Sequence, residues 1–218
     1  MQRMVLEIWS DVVCPWCYIG KRRFERALTQ FPHSDQVEVV WRSFQLDPEA
    51  PRQIAGNLTE LLAQKFGISP VQVVTMNRQI TDLAAQEGLA YQLEHAQPGN
   101  TFDAHRLIHL AAANDRQTAA KERLLRAYFC EGRSISDHAT LMAIGSELGL
   151  STDAVHAMLD GNAYGDAVRS DQQRAAKLGI RGVPFFVLDG RYGVSGAQTP
   201  EVLLNALQQV WATNSSAS

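Results

Sequence analysis

The pattern of apolar and polar positions divides the chain into two strand-containing ends and a long helical middle. Near the N-terminus, residues 4–9 form a short apolar run, residues 15–31 carry apolar side chains at helical spacing, and residues 37–46 alternate as a strand does. A strand, a helix and a second strand in this order predict a β-α-β unit with two parallel strands and a helical crossover between them.

Between residues 47 and 182 no strand pattern recurs. Helical patterns follow one another instead, over residues 58–66, 70–87, 102–113, 121–129, 137–148, 151–159 and 161–178. Strand chemistry returns at residues 183–188, and Asp189-Gly190 predicts a tight hairpin to an antiparallel strand over residues 191–195. An amphipathic helix beginning near Pro200 follows. The second end of the chain therefore predicts a β-β-α unit.

These boundaries predict a discontinuous domain and an insertion. We expect residues 1–48 and 165–213 to form one α/β domain, residues 49–164 to form an all-helical insertion domain, and residues 214–218 to be a flexible polar tail.

Composition excludes several classes of protein. The 218 residues are 45% hydrophobic and 20% charged, with a formal net charge of −3, so the chain is globular and has no basic block suited to nucleic acid. No apolar run is long enough to span a bilayer, and the N-terminus lacks the apolar core of a signal peptide, so we expect a cytoplasmic protein. The count of three cysteines is too low for a disulfide framework.

The candidate chemistry lies in Cys14-Pro15-Trp16-Cys17, directly after the first strand and at the head of the first helix. Two sulfurs at this spacing can close a disulfide, bind a metal or carry a haem. The disulfide interpretation also explains their place at a helix N-terminus, where unpaired N–H groups and the helix dipole favour an anion. We expect this position to lower the pKa of Cys14 and to make its thiolate a nucleophile.

The metal and haem alternatives find little support. A structural zinc site needs two more ligands, and Cys130 and His138 are too far apart in sequence to be a second close pair. Haem attachment requires a histidine after the second cysteine, where Tyr18 stands. His105 and His109 share one side of a predicted helix but have no evident third ligand. We therefore expect no metal site.

Three further positions have a functional and a structural interpretation. Asp11 can assist proton transfer at Cys17 or cap a turn, and we favour the cap. Cys130 ends an apolar helix face and is interpreted as a packed, inert thiol. Ser195-Gly196 can present backbone N–H groups to a glutathione carboxylate or simply form a strand-to-helix turn.

A β-α-β unit and a β-β-α unit with Cys-x-x-Cys at the first helix form the plan of thioredoxin-like proteins. The chain resembles, more narrowly, the DsbA-like oxidoreductases of the FrnE type, which are related to 2-hydroxychromene-2-carboxylate isomerases and kappa-class glutathione transferases. The resemblance runs from Met4 to about Trp211 and depends on Cys14-Pro15-Trp16-Cys17-Tyr18, the helical insertion, residues 182–186 (Gly-Val-Pro-Phe-Phe) and residues 194–198 (Val-Ser-Gly-Ala-Gln). It implies a thioredoxin-like α/β fold with a large all-helical insertion.

The resemblance also implies roles for individual residues. Cys14 matches an exposed nucleophilic cysteine and Cys17 a more buried resolving one. Pro184 matches a cis-proline beside the disulfide, where an extended substrate pairs with the backbone of Val183. Substrate contacts are further expected from Pro15 and Trp16, although Trp16 can equally serve helix packing. His105 lies in a segment, residues 100–107, that resembles one lining the active-site cleft, and the alternative is a hydrogen-bonded core histidine.

These roles predict a thiol–disulfide oxidoreductase or isomerase that acts on thiols or disulfides of proteins or small molecules. No resident cofactor is expected beyond the Cys14–Cys17 disulfide, with glutathione as a candidate co-substrate. In a reducing cytosol we favour the reductase or isomerase direction. A glutathione-dependent isomerase or transferase acting on an aromatic substrate is the alternative, but those relatives carry serine at the position of Cys14 and lack Cys17. A chaperone using the apolar surface of the insertion is a third hypothesis, and the oligomeric state stays open.

Overall fold

The computed structural model describes residues 3–54 and 56–216, without the side chains of residues 215 and 216. The chain divides into two compact units, one formed by Met1–Leu46 and Asp171–Ser218 and the other by Asp47–Ser170. The division falls within a helix, α8 (Gly165–Lys177), whereas the predicted boundary preceded that helix.

The first unit contains a mixed four-stranded sheet. Its strands are β1 (Met4–Ser10), β2 (Val37–Ser43), β3 (Phe185–Leu188) and β4 (Tyr192–Ser195), and they lie in the order β2-β1-β3-β4. β1 and β2 are parallel, and the other two neighbouring pairs are antiparallel. The predicted β-α-β and β-β-α units are therefore confirmed, and β1 in the middle of the sheet joins them.

Helices cover both faces of this sheet. The long helix α1 (Pro15–Gln30) packs beside the C-terminal helix α9 (Pro200–Ser216). Phe24 of α1 contacts Phe186 of β3 with ring centroids 5.9 Å apart. Trp9 and Val187, which point to the opposite face, form a second buried cluster with Ala175 of α8. The central strands β1 and β3 are thus largely buried, as the near-continuous apolar run of β1 predicts, whereas β2 and β4 at the edges are partly exposed.

The second unit is helical, as predicted. It contains α2 (Leu58–Phe66), α3 (Pro70–Gln86), α4 (Phe102–Ala112), α5 (Gln117–Glu131), α6 (His138–Glu147), α7 (Thr152–Asp160) and the first part of α8. Two short 3₁₀ helices, Ser34–Gln36 in the first unit and Leu93–His95 in the second, complete the described elements. The predicted start of α3 is confirmed, because Ser69 and Gln72 form a reciprocal capping box ahead of Pro70.

Several predicted boundaries need correction. Among the helices, α5 begins at Gln117 instead of Lys121, and α8 begins at Gly165 instead of Gly161. β2 ends at Ser43 instead of Leu46, because the Leu46 N–H donates to the Asp11 carboxylate and the backbone leaves the strand ladder. β3 begins at Phe185 instead of Val183, because proline has no N–H to contribute to a ladder. The tail prediction is wrong for residues 214–216, which continue α9, and residues 217–218 lie outside the described residues.

Candidate active site

Two cysteines flank the first turn of α1. Cys14 is the N-cap residue with extended backbone angles, and the Cys17 N–H donates to the Cys14 carbonyl at 3.0 Å. Pro15 occupies the first helical position, where its missing N–H costs no helical hydrogen bond. Both cysteines are free thiols in this structure. The local sequence therefore places both sulfur-bearing residues on one helical turn.

The prediction that Cys14 is exposed is wrong in this structure. Cys14 is 4% exposed and Cys17 is 1% exposed, so both are buried and Cys14 is the slightly more accessible of the two. The exposed side chain of the motif is Trp16, at 39%, while Pro15 is half-buried. The Trp16 ring is thus partly exposed to solvent, whereas both thiols of the motif are buried.

The expected lowering of the Cys14 pKa is also contradicted. The side-chain hydrogen bond with Cys17 and burial of the sulfur raise the pKa of Cys14 well above its ordinary value, and the negative charge of Asp11 acts in the same direction. The helix N-terminus favours an anion at this position, but a thiolate here would lose water and face a second sulfur and a carboxylate. The neutral thiol is therefore the favoured form of Cys14.

The second half of the fold contributes the Val183–Pro184 segment. The peptide bond between these residues is cis, and the Val183 carbonyl accepts a hydrogen bond from the Cys14 Sγ over 3.4 Å. Residues more than a hundred positions apart in sequence thus meet at one thiol. The Pro184 carbonyl in turn accepts from the Gly196 N–H at 2.8 Å, so that N–H is engaged within the fold and the turn interpretation of Ser195-Gly196 is favoured.

Asp11 acts as the predicted cap. Its carboxylate is buried and accepts hydrogen bonds from the backbone N–H groups of Val12 and Leu46, both at 2.8 Å. These two bonds connect the β1–α1 loop to the residues that follow β2. Asp11 therefore fixes the loop that delivers Cys14 to the helix.

The remaining candidates lie in the helical unit. His105 is 1% exposed within α4, and this burial favours the core-histidine alternative over a substrate contact. Cys130 is half-buried in α5, and burial raises the pKa of its thiol, which suits an unreactive side chain. Within residues 3–54 and 56–216, no three His, Cys, Asp or Glu side chains come together as a metal ion would need.

Sequence reasoning missed Gly20 in the second turn of α1. A Cβ atom at this position would lie 2.8 Å from Cγ of Pro184 and 3.4 Å from Cβ of Ala197, closer to the proline ring than packed atoms normally come. The signal was present, because a glycine inside an amphipathic helix costs about 1 kcal/mol relative to alanine and needs a packing reason.

The chain is similar to known proteins in both sequence and fold. The family of DSBA-like thioredoxin domains matches residues 5–208. The structure of a probable DsbA oxidoreductase from Streptomyces coelicolor is similar with a TM-score of 0.93 and 46% identity, over 96% of this chain and 91% of that chain. YwbO of Bacillus subtilis, an uncharacterised protein, is 26% identical over 93% of this chain and 94% of its own length.

More distant structures share the fold. A 2-hydroxychromene-2-carboxylate isomerase is similar with a TM-score of 0.75 and 15% identity, over 98% of this chain and 99% of that chain. The cytosolic disulfide reductase DsbM from Pseudomonas aeruginosa is similar with a TM-score of 0.66 and 20% identity, over 96% of this chain and 99% of that chain, and it has also been solved with glutathione. In the described part of this chain, no helix combines the length and the apolar character needed to cross a bilayer. With its matched span running from β1 into α9, the chain belongs to the family of DsbA-like thioredoxin domains.

Proposed function

We propose that the chain is a thiol–disulfide oxidoreductase in which Cys14 is the attacking thiol and Cys17 the resolving thiol. The observation that carries this proposal is the approach of the Cys14 Sγ to the Val183 carbonyl, at 3.4 Å, with Cys17 one helical turn away. A buried pair of this kind beside a backbone segment from another part of the fold suits reversible sulfur exchange. Membership of the DsbA-like family supports the same class of chemistry.

The proposed reducing reaction has two exchange steps. Cys14, after loss of its proton, attacks one sulfur of a substrate disulfide, and the other substrate sulfur leaves as a thiolate and takes up a proton. Cys17, also deprotonated, then attacks the Cys14 sulfur, forms the Cys14–Cys17 disulfide and releases the second substrate thiol. Two electrons pass from the protein dithiol to the substrate disulfide.

The raised pKa of Cys14 supports the reductase or isomerase direction. A strongly oxidising protein of this chemistry has a reduced form that is stabilised, and a stabilised thiolate is one source of that effect. Here Cys17 and burial disfavour the Cys14 thiolate, so this stabilisation is missing. We therefore expect electrons to flow from the protein to the substrate in a reducing, cytoplasmic setting.

Glutathione is the candidate electron donor. Two glutathione molecules would reduce the Cys14–Cys17 disulfide by the same two exchange steps in reverse and would leave as glutathione disulfide. The structure of DsbM with glutathione supports this choice by likeness of fold alone. No resident cofactor is needed for this cycle.

The substrate surface is proposed to include Trp16, Pro15, Val183 and Pro184. Trp16 offers an exposed aromatic ring between the two cysteines, and aromatic rings bind peptide side chains over a large area. The Val183–Pro184 segment offers a backbone edge beside the reacting thiol. An extended peptide disulfide fits this combination.

Reduction of insulin disulfides by glutathione tests the proposal. We expect Cys14→Ser to abolish catalysis, and Cys17→Ser to abolish turnover while accumulating a mixed disulfide on Cys14 that mass spectrometry detects. Cys130→Ser is the matched control and is expected to retain wild-type turnover. Unchanged turnover in Cys14→Ser would refute the assignment. Glutathione-dependent conversion of an aromatic substrate that persists in Cys17→Ser would favour an isomerase or transferase instead.

A further inference from the structure

One side of α1 contains Cys17 and, further along the helix, Gly20 and Arg23, which contact Pro184 and Ala197. Cys17, Gly20 and Arg23 follow one another at intervals of three residues, which places them on the same side of the helix. Cys17 belongs to the proposed reacting pair. Gly20 and Arg23 are not reacting groups, so their position on this face needs a separate explanation.

Gly20 allows two segments to contact the helix backbone directly. Cγ of Pro184 lies 2.8 Å from the place of a Cβ at this position, and Cβ and Cα of Ala197 lie at 3.4 and 3.5 Å. A proline ring is stiff, so it cannot give way as the end of a long side chain can. The absence of a side chain at Gly20 therefore sets how closely Pro184 approaches α1.

Arg23 binds the turn after β4, which also contacts Pro184. Its Nη1 donates to the Ala197 carbonyl at 2.7 Å, and the neighbouring Gly196 N–H donates to the Pro184 carbonyl at 2.8 Å. A chain of contacts thus leads from Arg23 through the turn after β4 to Pro184. The preceding Val183 carbonyl accepts from the Cys14 Sγ.

We propose that Gly20 and Arg23 are positioning residues that set the approach of the Val183 carbonyl to Cys14 and thereby the reactivity of that thiol. The proposal deepens the proposed function and rests on Cys14 being the reacting thiol. A hydrogen bond from the neutral thiol to a carbonyl stabilises the protonated form and repels the thiolate. Moving the carbonyl away removes this effect and also displaces the backbone edge that an extended substrate would pair with.

Gly20→Ala is the direct perturbation, because it inserts a methyl group against Pro184. We expect Cys14 to react with iodoacetamide about two- to fivefold faster at pH 7, the factor that one weak hydrogen bond is worth. We expect kcat/KM for a peptide disulfide to fall about tenfold or more, because misplaced binding groups slow a reaction steeply. Destabilisation that exposes the buried Cys14 would also speed alkylation, so the comparison is made against a variant with a similar packing penalty elsewhere in the chain.

Gly145→Ala is the matched control. Gly145 lies in α6 of the helical unit, and a Cβ there would meet Cγ2 of Val155 at 2.7 Å, a contact as close as the one at Gly20. Its packing penalty should be similar, and we expect neither Cys14 alkylation nor exchange kinetics to change. All variants carry Cys130→Ser, and peptide mass spectrometry identifies the alkylated cysteine.

Arg23 provides a second perturbation should Gly20→Ala fail to fold. Arg23→Met keeps the aliphatic stem but removes the donor to Ala197, and we expect a change of about twofold in the same two directions. Arg23→Lys restores a donor and should recover most of the wild-type values. Wild-type alkylation and exchange in both Gly20→Ala and Arg23→Met would overturn the inference. Absence of exchange in the wild type, with alkylation still shifted in the variants, would overturn the proposed function alone.

Discussion

Replacing Asp11 should make the protein less stable and Cys14 more reactive at the same time. The Asp11 carboxylate is 1% exposed and accepts two backbone N–H groups, from Val12 and from Leu46, both at 2.8 Å. An amide in its place keeps one carbonyl acceptor but adds a donor that cannot accept the second N–H. Asp11→Asn therefore removes one of the two bonds and the negative charge.

The stability change follows from the burial of the two partners. A hydrogen bond to a charged group contributes about 1.5–3 kcal/mol, and a buried donor left without an acceptor costs a similar amount. Val12 is fully buried, whereas Leu46 is 43% exposed, so water can replace the acceptor of Leu46 more readily. We expect Asp11→Asn to lower the free energy of unfolding by about 1–2 kcal/mol and Asp11→Ala by about 2–4 kcal/mol.

The reactivity change follows from the charge of Asp11. The hydrogen bond with Cys17 and burial are the main causes of the raised pKa of Cys14, and the Asp11 charge adds to them. Removing that charge lowers the pKa of Cys14 toward its ordinary value. Near neutral pH the variant therefore contains a larger fraction of Cys14 thiolate than the wild type. The midpoint of the pH dependence of alkylation should therefore lie at lower pH, whereas greater exposure alone would raise the rate without moving the midpoint.

Two measurements on the same samples check this prediction. Urea denaturation gives the free energy of unfolding, and the pH dependence of iodoacetamide alkylation, with Cys130 replaced by Ser, gives the titration of Cys14. Asp137→Asn is the control, since Asp137 accepts from the Thr140 N–H at 3.0 Å at the start of α6 and asparagine caps a helix equally well. An Asp11→Asn protein with wild-type stability, or with an alkylation midpoint shifted to higher pH, would refute the reasoning.

Three further predictions concern the rest of the molecule. Burial raises the pKa of Asp103, but hydrogen bonds from His138 and Arg106 outweigh burial and hold this pKa below its ordinary value. The carboxylate therefore stabilises the fold above about pH 4 and loses that contribution as the pH falls further. Urea midpoints across acid pH should therefore decline less steeply in Asp103→Asn, and identical slopes would contradict this. Phe186→Ala, in the buried centre of the sheet, should lower the free energy of unfolding by about 3–5 kcal/mol in urea titrations, and a loss below about 1 kcal/mol would contradict the packing described. The half-buried Cys130 should be alkylated under native conditions more slowly than a free thiol, because burial raises its pKa, and a rate equal to that in urea would contradict this.

The order of the elements was predictable because each left a periodic pattern or a terminal residue with a specific role. Ser69 and Pro70 predicted the start of α3, and Asp189-Gly190 predicted the hairpin, where both residues have positive φ. The ends of β2 and β3 were not predictable in the same way. Their positions depend on the Leu46 N–H meeting a distant carboxylate and on the junction at Pro184, and neither is a property of the strand's own sequence.

The local placement of the two cysteines of the candidate site was predictable, but the electrostatics of the site were not. The spacing of Cys14 and Cys17 and their place at a helix start are local features, and both are present in the structure. Burial of Cys14 is a tertiary property, and so is the nearness of Asp11, whose charge adds to the raised pKa. A helix N-terminus can be predicted from the local sequence, whereas desolvation depends on what covers the sulfur in the folded chain.

The predictions for Asp11 and for Gly20 agree for the alkylation of Cys14 but differ for the rate of exchange with a substrate disulfide. The charge of Asp11 raises the pKa of Cys14. The Val183 carbonyl accepts a hydrogen bond from the neutral Cys14 thiol, and we propose that this bond restrains the thiol as well. Removing the Asp11 charge should speed alkylation and leave the Pro184 segment in place, so exchange with a peptide disulfide should slow less than in Gly20→Ala. Displacing that segment through Gly20 should speed alkylation and slow exchange, because the substrate's backbone partner moves as well.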